Sequence, residues 1–261
     1  MRALQIAATG MAAQQKRVEV ISNNMANMNT TAYSTRRAEF ADLHYQQVRQ
    51  TGAPTGATGT VAPAGVQIGL GVRAAAVSMD IAQGALRQTG GDLDMAIEGR
   101  GWFEIELPSG DSAFTRDGSF KQTAEGLIVT SEGYPLVPQV TIPQDARSVS
   151  INADGEVHAY FTGIADAQLI GRITLAQFTN EKGLEAIGAN LFTPTEASGD
   201  AIVGDPGIDG RGRLRQGYLE QSSVDAVAQI TDLIEAQRGY ELNSKVISAA
   251  DQMMASASQI R

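Results

Sequence analysis

The sequence predicts an α+β chain in which long N- and C-terminal helices flank an inserted antiparallel β-domain, joined to it by extended Gly/Pro-rich connections. Three observations carry this. Of 28 glycines, 26 lie between Gly52 and Gly217, and all eight prolines lie between Pro54 and Pro206, so both ends are nearly free of helix breakers. Apolar residues recur at seven-residue spacing at both ends, the spacing of helices that pack in coiled-coil fashion. From Asp92 onward, turn signals arrive about every eight residues between short strand-like runs, without βαβ units.

At the N-terminus Leu4, Met11, Val18 and Met25 form one line, with Ala8, Gln15 and Ser22 following the first three by four residues. At the C-terminus Leu233, Tyr240, Ile247 and Met254 do the same, accompanied by Ala236, Asn243, Ala250 and Ala257. These seams are thin. Ala, Gln, Ser and Asn bury little apolar surface, and burial yields roughly 25 cal/mol per Å². The helices are therefore expected to be completed by neighbouring subunits. Six of the eight methionines also lie in the ends, where flexible thioethers fill irregular gaps. Residues 1–50 carry a net charge of +3 and residues 220–261 one of -3, which favours pairing of the ends, although an exposed ion pair is worth only ~0–1 kcal/mol. Ser222 or Ser223, together with Asp225, is expected to cap the C-terminal helix.

In the middle, Phe103, Ile105 and Leu107 alternate with Glu104 and Glu106, an inside/outside strand pattern. Leu127–Thr130 reads as a buried strand, Arg172–Phe178 as another, and Asn152-Ala153-Asp154-Gly155 as a hairpin turn between Ile151 and Val157. The stretch 50–60, rich in Gly, Pro and Thr, reads as a flexible linker, and 204–210 as a second irregular connection. The expected division is a helical half at 1–35, an extended connection at 36–84, a β-rich domain at 85–203, a return connection at 204–220 and the second helical half at 221–261.

Composition narrows the function. With no cysteine, the 261-residue chain has no disulfides, thiolate metal sites or thiol nucleophile. Only His44 and His158 are available for imidazole chemistry. The net charge of -9 argues against a nucleic-acid footprint. No run approaches the ~20 apolar residues of a membrane span, and Gln5, Thr9 and Gly10 interrupt any secretory signal.

Candidate chemistry is sparse. Gly69-Leu70-Gly71-Val72-Arg73-Ala74 satisfies a dinucleotide fingerprint, but Val66-Gln67-Ile68 is a poor strand to precede it and no βαβ unit surrounds it, so turn-forming glycines explain it better. Asp92/Asp94 and Glu104/Glu106 could each pair carboxylates on one strand face, which a solvated face also predicts. Asp205–Gly210 lacks the ligand alternation of a calcium loop, with Gln216 where the closing glutamate belongs. Arg211, Arg213 and Arg215 form a basic face suited to partner contact or to solvent. No catalytic residue set, cofactor site or metal site is assigned. A dinucleotide-dependent enzyme and an adhesin-like β-protein are the rival readings.

Three motifs carry a family resemblance. Ile21–Tyr33, with the run Ser22-Asn23-Asn24-Met25-Ala26-Asn27, resembles the N-terminal signature of bacterial flagellar rod and hook proteins. Ile234–Ile247, with Ala236-Gln237-Arg238-Gly239-Tyr240, is similar to their C-terminal signature. Leu93–Phe103 followed by Phe114–Phe120 is similar to the opening of their β-domain. Two departures stand out: Ala32 replaces the usual Gly, and Gly239 stands where Ala is common. Length and the segment Gly65–Val72 imply a distal rod subunit rather than the longer hook protein, with a proximal rod paralogue as the alternative.

The resemblance implies a homo-oligomer, a hollow helical tube in the basal body that crosses the envelope and transmits motor torque. Its helices would form the inner layer and its β-domain the outer. Implied partners are proximal rod proteins, the hook protein, the surrounding envelope ring proteins and the export apparatus, through which subunits leave unfolded without a cleaved signal. Assembly contacts are expected at Leu4, Met11, Val18, Asn24, Met25, Asn27, Leu233, Arg238, Tyr240, Asn243, Ile247 and Met254. The asparagines 23, 24, 27 and 29 would fix register or end the helix.

Overall fold

The computed structural model describes residues 2–50, 64–163 and 166–259. The linker-like stretch at 51–60 and the side chain of Ala257 lie outside the described residues. The chain divides into two compact units, one holding the N-terminal segment to Ala26, Arg36–Met79 and the chain from Asp225, the other Asn27–Thr35 and Asp80–Val224.

The first unit is built on two helices, α1 (Arg2–Ala26) and α2 (Ala226–Gln259). They run antiparallel: Asn24 meets Gln229, Arg17 meets Asp232, and Gly10 lies against Asn243. Asp225 alone caps α2, its Oδ1 accepting from the backbone N–H of Val227 at 2.9 Å and Ala228 at 3.2 Å. Neither serine shares the role. Ser222 Oγ accepts from Val224 N, and Ser223 Oγ from Thr35 N. Only the residue directly before the first turn can reach its free N–H groups.

The segment 36–79 is a ribbon of paired strands. Arg36–Asp42 pairs antiparallel with Val72–Met79, and Tyr45–Arg49 with Val66–Gly69. Sequence reading makes 36–84 an extended connection and 66–68 a poor strand. Cross-strand pairing, which a single strand's pattern does not reveal, supplies the missing order. At Gly71 the backbone has φ 122°, and a Cβ there would fall 2.2 Å from Thr9 Oγ1 of α1. The fingerprint glycine is thus a turn and close-packing residue.

The second unit is antiparallel throughout its described pairings. Its five-stranded sheet runs in the order Leu136–Val137, Phe103–Glu106, Ser112–Thr115, Leu191–Thr193, Glu185–Gly188. A three-stranded sheet joins Ala146–Ile151, Glu156–Phe161 and Gln168–Arg172. Asn152–Gly155 forms the expected hairpin, with Gly155 N donating to Asn152 O at 3.0 Å. The run 172–178 is broken between Gln168–Arg172 and Leu175–Gln177. Buried Met95, Ile97, Phe103, Leu136, Val157 and Leu175 belong to one core, reinforced by the edge-to-face pair Phe103–Phe120 with centroids 5.1 Å apart.

Residues 205–212 are turns and irregular chain, as expected for 204–210, but 213–220 add strands to this unit: Arg213–Gln216 pairs with Met95–Glu98, and Tyr218–Glu220 with Leu86–Gln88. The N-terminal signature also changes character. Residues 27–35 are turns, with Thr30 N donating to Asn27 O at 3.1 Å. Ala32 sits at φ 54° and donates its N–H to Glu220 O at 2.9 Å. A left-handed backbone costs an L-residue about 1–2 kcal/mol, which accounts for the glycine usual at this position.

Candidate assembly interface

The helix pair separates two stripes that sequence alone merges. The stripe packed between α1 and α2 is small and polar. On α1 it includes Ala7, Gly10, Gln14, Arg17, Ile21 and Asn24, again at three- and four-residue steps but offset from the apolar line. On α2 it includes Gln229, Asp232, Ala236, Gly239, Asn243 and Ala250. Arg17 Nη2 bonds Asp232 Oδ1 at 2.7 Å and Glu235 Oε2 at 3.3 Å, so the opposite charges of the two ends do meet.

Asn24 is the polar centre of one end of this unit. Buried, it donates from Nδ2 to Arg36 O at 2.8 Å and to Gln229 Oε1 at 3.0 Å, while its Oδ1 accepts from Arg36 N at 2.9 Å. One amide side chain thereby ties α1, the first strand and α2 together. A buried amide with both ends bonded specifies a single arrangement, because any other leaves it unsatisfied.

The apolar heptad lines fall beside this seam. Leu4, Met11, Val18 and Met25 are half-buried, as are Leu233, Asn243 and Ile247, whereas Arg238, Tyr240 and Met254 are exposed. Asn27 lies outside the helix, its Oδ1 accepting from Thr30 Oγ1 at 3.1 Å. Val18 and Tyr240 come together in a groove of about 480 Å³ completed by Gln15, Gln237 and Glu241. Further large apolar side chains on α2, among them Val227, Ile234, Leu242 and Met253, are 46–75 % exposed. Much of the apolar surface of the two-helix unit thus lies outside its seam. Sequence reasoning missed Gly10, Gln14, Arg17, Gln229 and Asp232. Their three- and four-residue steps were the available signal, hidden because none of them is a large apolar residue.

In the second unit, Arg116 and Glu220 form a buried clasp, with side chains 8 % and 6 % exposed. Arg116 Nε donates to Glu220 Oε2 at 3.0 Å, and its two terminal nitrogens donate to Gly101 O and Gly99 O. Glu220 Oε1 accepts from Gly84 N at 3.0 Å. With every strong valence matched, the pair holds the incoming chain at Gly84 to the outgoing chain at Glu220.

The other charged candidates have local partners. Glu104 accepts from Ser112, Glu106 from Gln139, and Asp94 from Thr89. Arg211 is buried against Gly204, so the three arginines do not share one exposed face. Arg215 instead stacks over Tyr218, 4.6 Å from the ring centroid. Among the described residues no group of three or more His, Asp and Glu side chains converges to hold a metal.

Comparison with known proteins puts these features in a class of axial structural proteins. Residues 4–33 match the family described as flagella basal body rod protein, 96–159 the flagellar hook protein FlgE/F/G D1 domain, and 215–260 the flagellar basal body rod FlgEFG protein C-terminal. The chain is 51 % identical over its whole length, and that of its relative, to the flagellar basal-body rod protein FlgG of Caulobacter vibrioides. It is 51 % identical to that of Agrobacterium fabrum, covering 97 % of each chain, and 43 % identical to that of Borreliella burgdorferi, covering 100 % of this chain and 99 % of the relative. The chain belongs to the flagellar rod and hook family, whose members are structural proteins and not enzymes.

Proposed function

We propose that the chain is a subunit of the distal flagellar rod, self-assembling with further copies into a hollow helical shaft in the basal body that carries torque to the hook. Full-length identity to basal-body rod proteins supports the rod assignment. The observation that carries the assembly reading is the apolar surface of the helix pair. Its seam is filled by small and polar side chains, while Tyr240, Leu242, Val246 and Met253 stand exposed. In a tube these residues lie against neighbouring copies. The association is heterologous, the kind of contact that generates an open helical assembly. The β-rich unit, with a core of its own, shapes the wall. Proximal rod proteins and the hook protein would adjoin the two ends of the shaft, envelope rings would surround it, and the export apparatus would deliver its subunits.

The test is Tyr240→Asp in the full chain. Sedimentable tubes are expected to be lost while the melting temperature of the monomer's β-rich unit stays unchanged. Tubes formed at wild-type yield would overturn the assembly face; parallel loss of both would show that the helix supports its own subunit's fold.

A further inference from the structure

The seam between α1 and α2 contains a reciprocal arrangement of two glycines and two amides. On α1, Gly10 and Gln14 are one helical turn apart; on α2, Gly239 and Asn243 are likewise. A Cβ placed at Gly10 would meet Asn243 Nδ2, Oδ1 and Cγ at 2.9, 3.0 and 3.1 Å, so the whole amide plane of Asn243 rests on the Gly10 backbone. A Cβ at Gly239 would meet Gln14 Cδ at 3.1 Å and Nε2 at 3.3 Å. Each helix thus offers one glycine as a socket and one amide as a plug. Gln14 Oε1 is buried there without a hydrogen-bond partner, so its position is set by shape and not by a bond.

We infer that this reciprocal plug-and-socket set is the register key of the helix pair, specifying which residue of α2 faces which residue of α1. The rest of the seam discriminates poorly. Sliding α2 by one heptad would put Gly10 opposite Ala236 or Ala250, and small residues pack there almost equally well. The same slide brings Gln14 opposite Asp232 or Val246, where no glycine receives it, and leaves Asn243 facing a residue with a side chain. Only the observed register seats both amides. A polar side chain at one seam position is a known means of choosing a single register at some cost in stability. The register has a functional consequence, because it sets Val18 beside Tyr240 and so decides the surface offered outward. It also explains Gly239, where Ala would add helix propensity but narrow the Gln14 socket.

The inference concerns pairing within one copy and goes beyond the assembly reading, so the two can fail separately. Because the chain has no cysteine, spin labels can be placed at Ser22→Cys and Thr231→Cys, two exposed positions at the same level of the helix pair in this register. Labelled full-length chain is diluted into excess unlabelled chain and the label distance is measured, with sedimentation scored in parallel. The unaltered seam should give one short distance. Gly10→Asn should depopulate it severalfold in favour of a second, longer distance, the two labels being then offset by about 10 Å along the helix axis, one heptad of rise. The exchange Gly10→Asn with Asn243→Gly moves plug and socket to opposite helices and should restore the short distance. A general packing or propensity role predicts instead that the exchange is no better than Gly10→Asn alone. The inference is overturned by that result, by an unaltered distance in Gly10→Asn, or by no defined distance with the seam intact. A correct short distance without sedimentable tubes would overturn the assembly reading and leave the register key standing.

Discussion

The β-rich unit and the helix pair satisfy their side chains by opposite means. Around Phe103 the β-rich unit gathers Met95, Ile97, Leu136 and Leu175, all fully buried, and its charged interior group, Arg116–Glu220, is bonded on both sides. The helical unit buries Ala7, Ala13, Ile21, Asn24, Ala236 and Ala250, and leaves Leu242 and Met253 more than half exposed. A core rich in large side chains stabilises a unit by itself, since each such side chain contributes ~1.5–3 kcal/mol on burial. A seam of alanines, glycines and amides contributes much less and instead selects geometry. The contrast teaches that one chain can keep stability and geometric specificity apart, placing the first in the β-rich core and the second in the seam of the helix pair.

Four substitutions test that contrast, in descending order of expected effect. Phe103→Ala removes a fully buried ring and should destabilise the β-rich unit by ~3–5 kcal/mol, read as a lost or strongly lowered calorimetric transition. If the helical signal survives that loss, the units are energetically separate; if it vanishes together with the transition, the contrast breaks. Arg116→Ala strands Glu220 without its counter-charge and should cost about 3 kcal/mol in the same transition, the lower end for a broken buried pair. A cost below 1 kcal/mol would mean that water replaces the guanidinium and the clasp is dispensable.

Asp225→Ala removes the cap of α2 and should lower helix stability by ~1 kcal/mol, measured by denaturant-dependent circular dichroism, with the β transition unmoved. An equal shift in both would show that the helix and the β-rich unit unfold as one. The smallest effect is expected at Glu156. Hydrogen bonds from Arg172 and then His158 hold its carboxyl below the usual value of 4.5. A depressed carboxylate contributes stability that is fully present above its ordinary pKa and is lost as pH falls through the lowered one. Glu156→Gln should therefore melt slightly below the unaltered chain at neutral pH and converge with it in acid. A gap that widens on acidification would reverse the sign and refute the assignment.

Much of the architecture was legible because it rests on one-dimensional signals. The concentration of helix breakers in residues 52–217 placed α1 and α2, and the alternation at 103–107 placed a strand whose apolar side turned inward. The ribbon at 36–79 was not legible, since its order comes from pairing between strands separated by residues that share no periodic pattern. The pairing of the helices was only partly legible. Heptad spacing found the two helices and drew attention to Leu4, Met11, Val18 and Met25, whereas the contacts between α1 and α2 fall on Gly10, Gln14 and Arg17, which carry no apolar signal.

By itself, then, the sequence determined the kind of protein this is: two ends nearly free of breakers, an antiparallel middle, and motifs that run in the order of a flagellar rod or hook subunit. Those properties are local, set by propensity, periodicity and composition. Only the tertiary structure decided which stripe of each helix faces its partner, that Gly71 packs on Thr9, and that Arg116 meets Glu220 across 104 residues of chain. The physical reason is that helical periodicity states which residues share a face without stating what that face touches. Close packing chooses the partner, and here a glycine opposite an amide takes the place a leucine would be expected to fill.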